Sequence, residues 1–215
     1  VASNLAEGTS RNTTKDKAHF STIAFSSLME VLNQLIIAKE LNFIKETDYQ
    51  TLRSEVEKGD IICATGDLGG AFIGLQVLER EKQVFLANPD MQPDLQKYPY
   101  IAGRQLKPKA RMDIIYELAE MNLKPKAMID ISDGLASELF HLAKQSGVGF
   151  FIYEDKLPID KQTYDTAVEF NLDPITAALN GGEDYELLFS IGQDDYEKLK
   201  NHPDIHFIGY AAEKD

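Results

Sequence analysis

The chain has 215 residues, a net charge of −13 and one cysteine. This length allows one or two domains with hydrophobic cores, and a single cysteine excludes an internal disulfide, as expected in a reducing cytoplasm. No apolar run approaches the ~20 residues of a membrane helix. Most of the negative charge lies after residue 58, so the larger part of the chain should repel nucleic acid. We therefore expect a cytoplasmic protein that has neither a membrane nor a nucleic acid as its partner.

Residues 1–58 are predicted to form a helical hairpin. Apolar residues recur at spacings of three and four over residues 17–42, a pattern typical of a long amphipathic helix. Residues 46–57 predict a second, shorter helix. Two helices bury too little surface to be stable alone, so this hairpin needs a partner in the same chain or in another copy. The exposed apolar stripe favours a homo-oligomer.

Residues 59–215 alternate strand and helix patterns, with the boundary between the two parts at residues 54–59. This alternation predicts a layered α/β or α+β domain. Cys63 lies in the apolar run IICATG and is expected to be a buried strand thiol rather than a nucleophile. Strands are predicted at 59–66, 127–131, 148–155, 184–192 and 205–211, with helices at 67–82, 111–121, 132–147, 160–170, 173–180 and 194–201, and mostly loop or short helix at 87–111.

The stretch IDISDGLAS places two carboxylates and a hydroxyl where a strand gives way to a helix. Asp130, Ser132 and Asp133 could ligate a hard cation such as Mg²⁺ and face a phosphate at the helix N-terminus. Alternatively, Ser132 or Asp133 is simply the N-cap of that helix. Asp130 fits a capping role poorly, because an acid at the end of an apolar strand needs a partner. The residues alone leave both readings open.

Three other stretches carry polar chemistry. NGGEDYE, residues 180–186, combines glycines with two adjacent acids that point to opposite faces, either as a binding site or as a turn with solvated acids. TGDLGG, residues 65–70, could hold an anion at a helix start, although a plain tight turn is the favoured interpretation. The basic residues between 104 and 111 could contact phosphate or could be a solvated helix start that balances nearby acids.

Together these motifs resemble the C-terminal domain of the thiamine-monophosphate kinase family. The resemblance covers about residues 59–215, and the pair IDISDGLAS and NGGEDYELLF is its most specific part. The wider superfamily includes aminoimidazole ribonucleotide synthetase. The resemblance implies an α+β fold, an α/β layered domain with a mixed sheet and helices on one face, here preceded by the all-α hairpin.

The resemblance also implies a reaction and its residues. Members of that family transfer the γ-phosphoryl group of ATP to thiamine monophosphate with the help of Mg²⁺. By position, Asp130 and Asp133 would bind Mg²⁺, Ser132 would contact the nucleotide phosphates and Glu183 would contact the thiamine substrate. Arg53 stands at about the spacing where the family places a nucleotide-contacting arginine, although an exposed arginine on a helix is the favoured interpretation.

The family's N-terminal metal- and ATP-binding domain has no counterpart in residues 1–58. We therefore expect the chain to be catalytically incomplete. Residues 1–58 instead resemble half of the four-helix-bundle proteins of the ribosomal RNA intervening-sequence type, through the motif SNLAEGTSR and a helix that ends IIAKEL. The alternative function is thus a non-enzymatic, oligomerising helical-bundle module, associated with RNA as its relatives are thought to be.

Overall fold

The computed structural model describes residues 56–213. Most of the expected hairpin lies outside this range. Arg53, the candidate nucleotide contact, lies outside it as well. The described part contains five strands, seven α-helices and two short 3₁₀ turns. The strands are β1 (Ile61–Thr65), β2 (Ala127–Ile131), β3 (Gly149–Ile152), β4 (Glu186–Ile191) and β5 (Ile205–Ala212). The helices are α1 (Gly70–Ala87), α2 (Pro99–Leu106), α3 (Met112–Glu120), α4 (Leu135–Ser146), α5 (Lys161–Glu169), α6 (Pro174–Asn180) and α7 (Tyr196–Leu199).

The strands form one sheet in the order β2-β4-β1-β5-β3. Every neighbouring pair in it is antiparallel. It follows that β1, β2 and β3 run in one direction, while β4 and β5 run in the other and separate them. The register between β2 and β4 places Ile131 opposite Glu186, and this pairing fixes where the two strands end and begin.

Local sequence explains where several helices begin and end. Asp160 caps α5 by accepting the N–H of Gln162, and Asp173 caps α6 by accepting the N–H of Thr176. Pro174 occupies the first turn of α6, where its missing N–H has no cost. Gly147 ends α4 in the left-handed conformation, with a φ of 70°.

Hydrophobic side chains pack on both faces of the sheet. On one face, Ile62 of β1 and Leu188 of β4 join Leu135 of α4 in a buried cluster. On the other face, Phe189 of β4 packs with Ile114 of α3 and with residues that include Leu199 and Cys63. A third cluster joins α1, α2, α5 and α6 beside the sheet. None of the helices in residues 56–213 is long and apolar enough to cross a membrane.

The predicted α+β class is confirmed, and so is the prediction of Cys63 as a buried strand thiol. Two details of the expected architecture differ. Every neighbouring pair of strands is antiparallel, so the sheet is not mixed. The strands β1, β2 and β3 do run parallel to one another, but β4 and β5 lie between them. Helices cover both faces of the sheet rather than one, because side chains on both faces of β1 and β4 are apolar.

Candidate functional site

Two loops meet at one edge of the sheet, where β2 ends and β4 begins. We call residues 132–134 the Asp133 loop and residues 181–185 the Glu183 loop. The backbone N–H of Glu183 donates to the carbonyl oxygen of Ser132 over 2.7 Å, and the N–H of Tyr185 donates to that of Ile131 over 2.9 Å. These bonds extend the β2–β4 pairing into the loops, so the two motifs singled out in the sequence form one surface.

Glycines allow the close approach of these loops. Gly182 has a φ of 69°, and a Cβ there would lie 2.7 Å from the carbonyl oxygen of Ser132. Gly134 has a φ of 110°, and a Cβ there would lie 2.9 Å from the carbonyl oxygen of Leu179. Both the backbone conformation and the space therefore require glycine at these two positions.

Three acidic side chains are exposed on this surface, namely those of Asp130, Asp133 and Glu183. The hydroxyl of Tyr185 donates to Oε2 of Glu183 over 3.1 Å. Desolvation, and then the negative charges of Glu183, Asp130 and Asp133, raise the pKa of the Tyr185 phenol. The same phenol thus lies within the field of all three acids, so the structure brings the predicted metal and substrate residues together.

The alternative role of Ser132 or Asp133 as an N-cap is wrong. Helix α4 begins at Leu135, its N-cap position is Gly134, and no side chain caps it there. The N–H of Asp133 instead donates to Oε1 of the buried Glu138, over 3.0 Å. The carboxylates of Asp130 and Asp133 thus remain available to a ligand rather than being used to start the helix.

Carboxylate oxygens are the donors that Mg²⁺ prefers, so Asp130 and Asp133 suit that ion by chemistry. Mg²⁺ takes about six oxygen ligands, usually from one or two carboxylates, waters and substrate phosphates. Within residues 56–213, no group of three or more His, Cys, Asp or Glu side chains is arranged to hold a metal ion.

Behind the exposed acids lies a buried carboxylate, Asp184. It accepts the N–H of Gly69 over 2.7 Å and that of Ala71 over 3.1 Å. Burial raises the pKa of Asp184 to about 6, against the opposing effects of these two N–H groups and of Arg104. The N–H groups at the start of α1 are thus occupied by a carboxylate of the protein itself. TGDLGG is the tight turn that the sequence favoured rather than an open anion site.

A second buried carboxylate, Glu186, lies next to it at the start of β4. It accepts the hydroxyl of Thr65 over 2.6 Å, Nη1 of Arg104 over 3.0 Å and Nη1 of Arg111 over 2.6 Å. A Cβ on Gly66 would overlap this carboxylate. The two arginines of the basic stretch therefore do balance nearby acids, as one interpretation held, but they do so in the domain interior rather than in solvent.

The sequence alone does not indicate the roles of Asp184, Glu186 and Arg104. The adjacent acids of NGGEDYE were expected to point to opposite faces, and they do, because Glu183 is exposed and Asp184 is buried. The buried member pairs with groups more than a hundred residues away in the chain. The available signal was the coincidence of a basic stretch and an acidic motif within one otherwise acidic domain.

Comparison with known proteins places these features in a family. The AIR synthase related protein, C-terminal domain, matches residues 57–197, and the 23S rRNA-intervening sequence protein matches residues 1–61. Thiamine-monophosphate kinase of Pyrococcus abyssi is 34% identical over 148 residues, which are 69% of this chain and 41% of that protein. The enzyme of the same name from Bacillus subtilis is 33% identical over 173 residues, 76% of this chain and 48% of that protein.

Solved structures agree with these matches. The structure of AaThiL complexed with AMPPCP and TMP superimposes with a TM-score of 0.62 at 31% identity, covering 76% of this chain and 48% of that one. HypE of E. coli, at 20% identity and a TM-score of 0.54, shares the fold. The chain spans about half the length of the relatives it matches. By its match over residues 57–197, the chain belongs to the family of AIR synthase related proteins and carries their C-terminal domain.

Proposed function

We propose that residues 59–215 are the C-terminal domain of a kinase that phosphorylates thiamine monophosphate to thiamine diphosphate with ATP. The observation that carries the proposal is the hydrogen bond from Glu183 to Ser132, which joins two acidic loops into one exposed surface. Relatives named thiamine-monophosphate kinase, and a similar structure that holds AMPPCP and TMP, supply the identity of the ligands.

In this proposal each exposed residue has its own role. Asp130 and Asp133 hold Mg²⁺, Ser132 contacts the nucleotide phosphates and Glu183 contacts the thiamine substrate, while Arg53 is a further nucleotide contact. The bound cation neutralises phosphate charge. Phosphoryl transfer requires mainly positioning and electrostatic stabilisation, with little covalent chemistry from the protein. The rigid backbone pairing of the two loops suits that positioning task.

We further propose that this 215-residue chain, a cytoplasmic protein, is catalytically incomplete by itself. The relatives contain about as much chain again outside the matched region. The domain would therefore bind its ligands weakly and turn over slowly until the complementary part of such a kinase is supplied.

A binding and turnover experiment tests the proposal. We expect calorimetry to detect thiamine monophosphate and Mg²⁺-AMPPCP binding to the full chain, and Asp130→Asn, Asp133→Asn and Glu183→Gln to weaken it. Asp90→Asn removes an exposed acid from the connection between α1 and α2 and should leave binding unchanged. Absence of binding to the wild-type chain would overturn the assignment. Turnover at the ordinary kinase rate of roughly 1–100 per second would overturn the incompleteness.

A second candidate function comes from the match of residues 1–61 to the 23S rRNA-intervening sequence protein. In this case the chain is an oligomerising helical-bundle module. Light scattering on the full chain should then give the mass of an oligomer, whereas a clean monomer would exclude the module. A filter-binding titration with ribosomal RNA fragments would separate an RNA-associated module, with salt-dependent retention, from one that only self-associates.

A further inference from the structure

The Glu183 loop has an uncommon backbone conformation. Glu183 has a φ of 61° and Tyr185 a φ of 54°, both in the left-handed region that non-glycine residues seldom adopt. Such conformations persist only where surrounding contacts enforce them, and they cluster at functional sites. The residue between them, Asp184, is 2% exposed and points away from the acidic surface into the domain.

The contacts of Asp184 fix the loop from behind. Its carboxylate takes the N–H groups of Gly69 and Ala71, so the loop is joined to the first turn of α1. The guanidinium of Arg104 lies 3.7 Å from Oδ1 of Asp184, and its Nη2 donates to the backbone oxygen of Asp184 over 3.4 Å. The same guanidinium donates to the backbone oxygen of Asp67 over 2.8 Å.

The pair lies in a network that leaves it little freedom to move. Arg104 also donates to Glu186, which is held in turn by Thr65 and Arg111. The side chain of Asp67 completes the surroundings, where it accepts the hydroxyl of Tyr100. Hydrogen bonds that involve ionised partners are roughly twice as strong as neutral ones, so this network can offset the cost of the strained loop.

We infer that Asp184 and Arg104 are positioning residues, which set the conformation of the Glu183 loop and thereby the placement of Glu183 beside Asp130 and Asp133. They act through the loop and touch no ligand themselves. The role in ligand binding rests on the proposed function. The effect on the loop does not, because it follows from contacts within the domain.

Asp184→Asn tests the inference with Asp60→Asn as its matched control. Asp60 is also a buried aspartate, 4% exposed, that accepts one backbone N–H, that of Glu57, and one cation, Lys126. It precedes β1, whereas Asp184 contacts the turn that follows β1. The two substitutions therefore remove comparable interactions from opposite ends of one strand.

Amide hydrogen exchange on the full chain, without ligand, provides the first measurement. In Asp184→Asn the amides of Glu183 and Tyr185 should exchange roughly 10- to 100-fold faster, the factor expected on loss of a charge-assisted hydrogen bond. In Asp60→Asn they should exchange at the wild-type rate. Unchanged exchange in Asp184→Asn, or equal acceleration in both variants, would overturn the inference.

Arg104→Lys gives an independent variant should Asp184→Asn fail to fold. It keeps the charge and loses the planar fork that reaches Asp67, Asp184 and Glu186 together. The same amides should exchange faster in this variant, and wild-type exchange would count against the inference. Calorimetry with thiamine monophosphate then separates the two proposals. A wild-type chain that does not bind contradicts the proposed function only, whereas intact binding in Asp184→Asn contradicts the positioning role.

Discussion

The N–H of Glu183 lies 2.7 Å from the carbonyl oxygen of Ser132, although fifty residues of chain separate the two motifs. This single bond continues the antiparallel pairing of β2 and β4 beyond the strands. The exposed acids Asp133 and Glu183 are therefore carried by loops that share a backbone hydrogen bond.

Gly182→Ala should separate the two loops and destabilise the domain. The new Cβ would meet the Ser132 carbonyl oxygen at 2.7 Å, and a left-handed alanine adds a backbone cost of ~1–2 kcal/mol. We expect urea denaturation to show a loss of about 2 kcal/mol or more in the free energy of unfolding.

Gly103→Ala is the control for this substitution. Gly103 lies within α2, and a Cβ there would meet no atom within 4 Å. Alanine should increase stability there by ~0.5–1 kcal/mol, because it is the better helix former. Equal stabilities of Gly182→Ala and the wild type would contradict the tight packing of the loops.

Arg111→Gln should be costly, because it removes one of the two cations that hold the buried carboxylate of Glu186. The Arg111–Glu186 contact is 2.6 Å, and the Glu186 side chain is 3% exposed. Breaking such a pair leaves charge uncompensated in the interior, and we expect a loss of about 3 kcal/mol in chemical denaturation.

The surface pair Lys161–Asp165 shows how much of that cost is due to burial. Its side chains are 84% and 59% exposed. Lys161→Gln should leave the free energy of unfolding almost unchanged, because water and salt screen an exposed pair. If Arg111→Gln were as mild as Lys161→Gln, the buried network would contribute nothing measurable.

The stability of the domain should depend on pH through Asp184. Burial raises its pKa from 3.8 to about 6, so between these values the folded state keeps a proton that the unfolded state releases. The contribution of this group to stability is thus largest below about pH 4, falls as the pH rises to about 6, and is constant above that. The total change is on the order of 3 kcal/mol.

The measurement is the unfolding free energy of the wild type minus that of Asp184→Asn, at several values between pH 4 and 8. Gly103→Ala is the control. It changes no titrating side chain, so the difference between its unfolding free energy and that of the wild type should not depend on pH. A difference that stays constant from pH 4 to pH 6 would refute the raised pKa of Asp184.

Cys63 should resist thiol reagents in the folded chain. Its side chain is fully buried in β1, so a reagent cannot reach the sulfur. Burial also raises the pKa of the thiol, so little of the reactive thiolate is present. Reaction with a disulfide reagent should require opening of the domain and proceed at least ~1,000-fold more slowly than in urea. Rapid stoichiometric labelling without denaturant would contradict this burial, and Cys63→Ala reports the background.

Much of the fold could be predicted because apolar periodicity is a local signal. The runs IICAT and ELLFSI read as strands, and they are strands. Local signals failed where a distant partner decides the outcome. Ser132 resembles an N-cap by type, but the N-cap is Gly134, which lies against the backbone of Leu179 with a positive φ, and the helix begins at Leu135.

The candidate site divides in the same way. Asp130 and Asp133 could be named as candidates because they are polar residues at the end of an apolar strand, whereas Glu183 was named through the resemblance to the kinase family. Asp184 and Arg104 could not, because their contacts join segments about 80 to 115 residues apart. Nothing in a single sequence indicates which of several carboxylates a buried arginine will meet.

The position of β5 has a consequence for synthesis of the chain on the ribosome. Strand β3 pairs with β5 alone among the described strands, and β5 is the last of these to be made. At ~5–20 residues per second, β3 would therefore wait for several seconds without a strand neighbour. During that interval the side chain of Phe150, which packs against the core in the folded domain, would be accessible to chaperones. A messenger truncated just before the codon for Ile205 should yield a product that aggregates or is degraded.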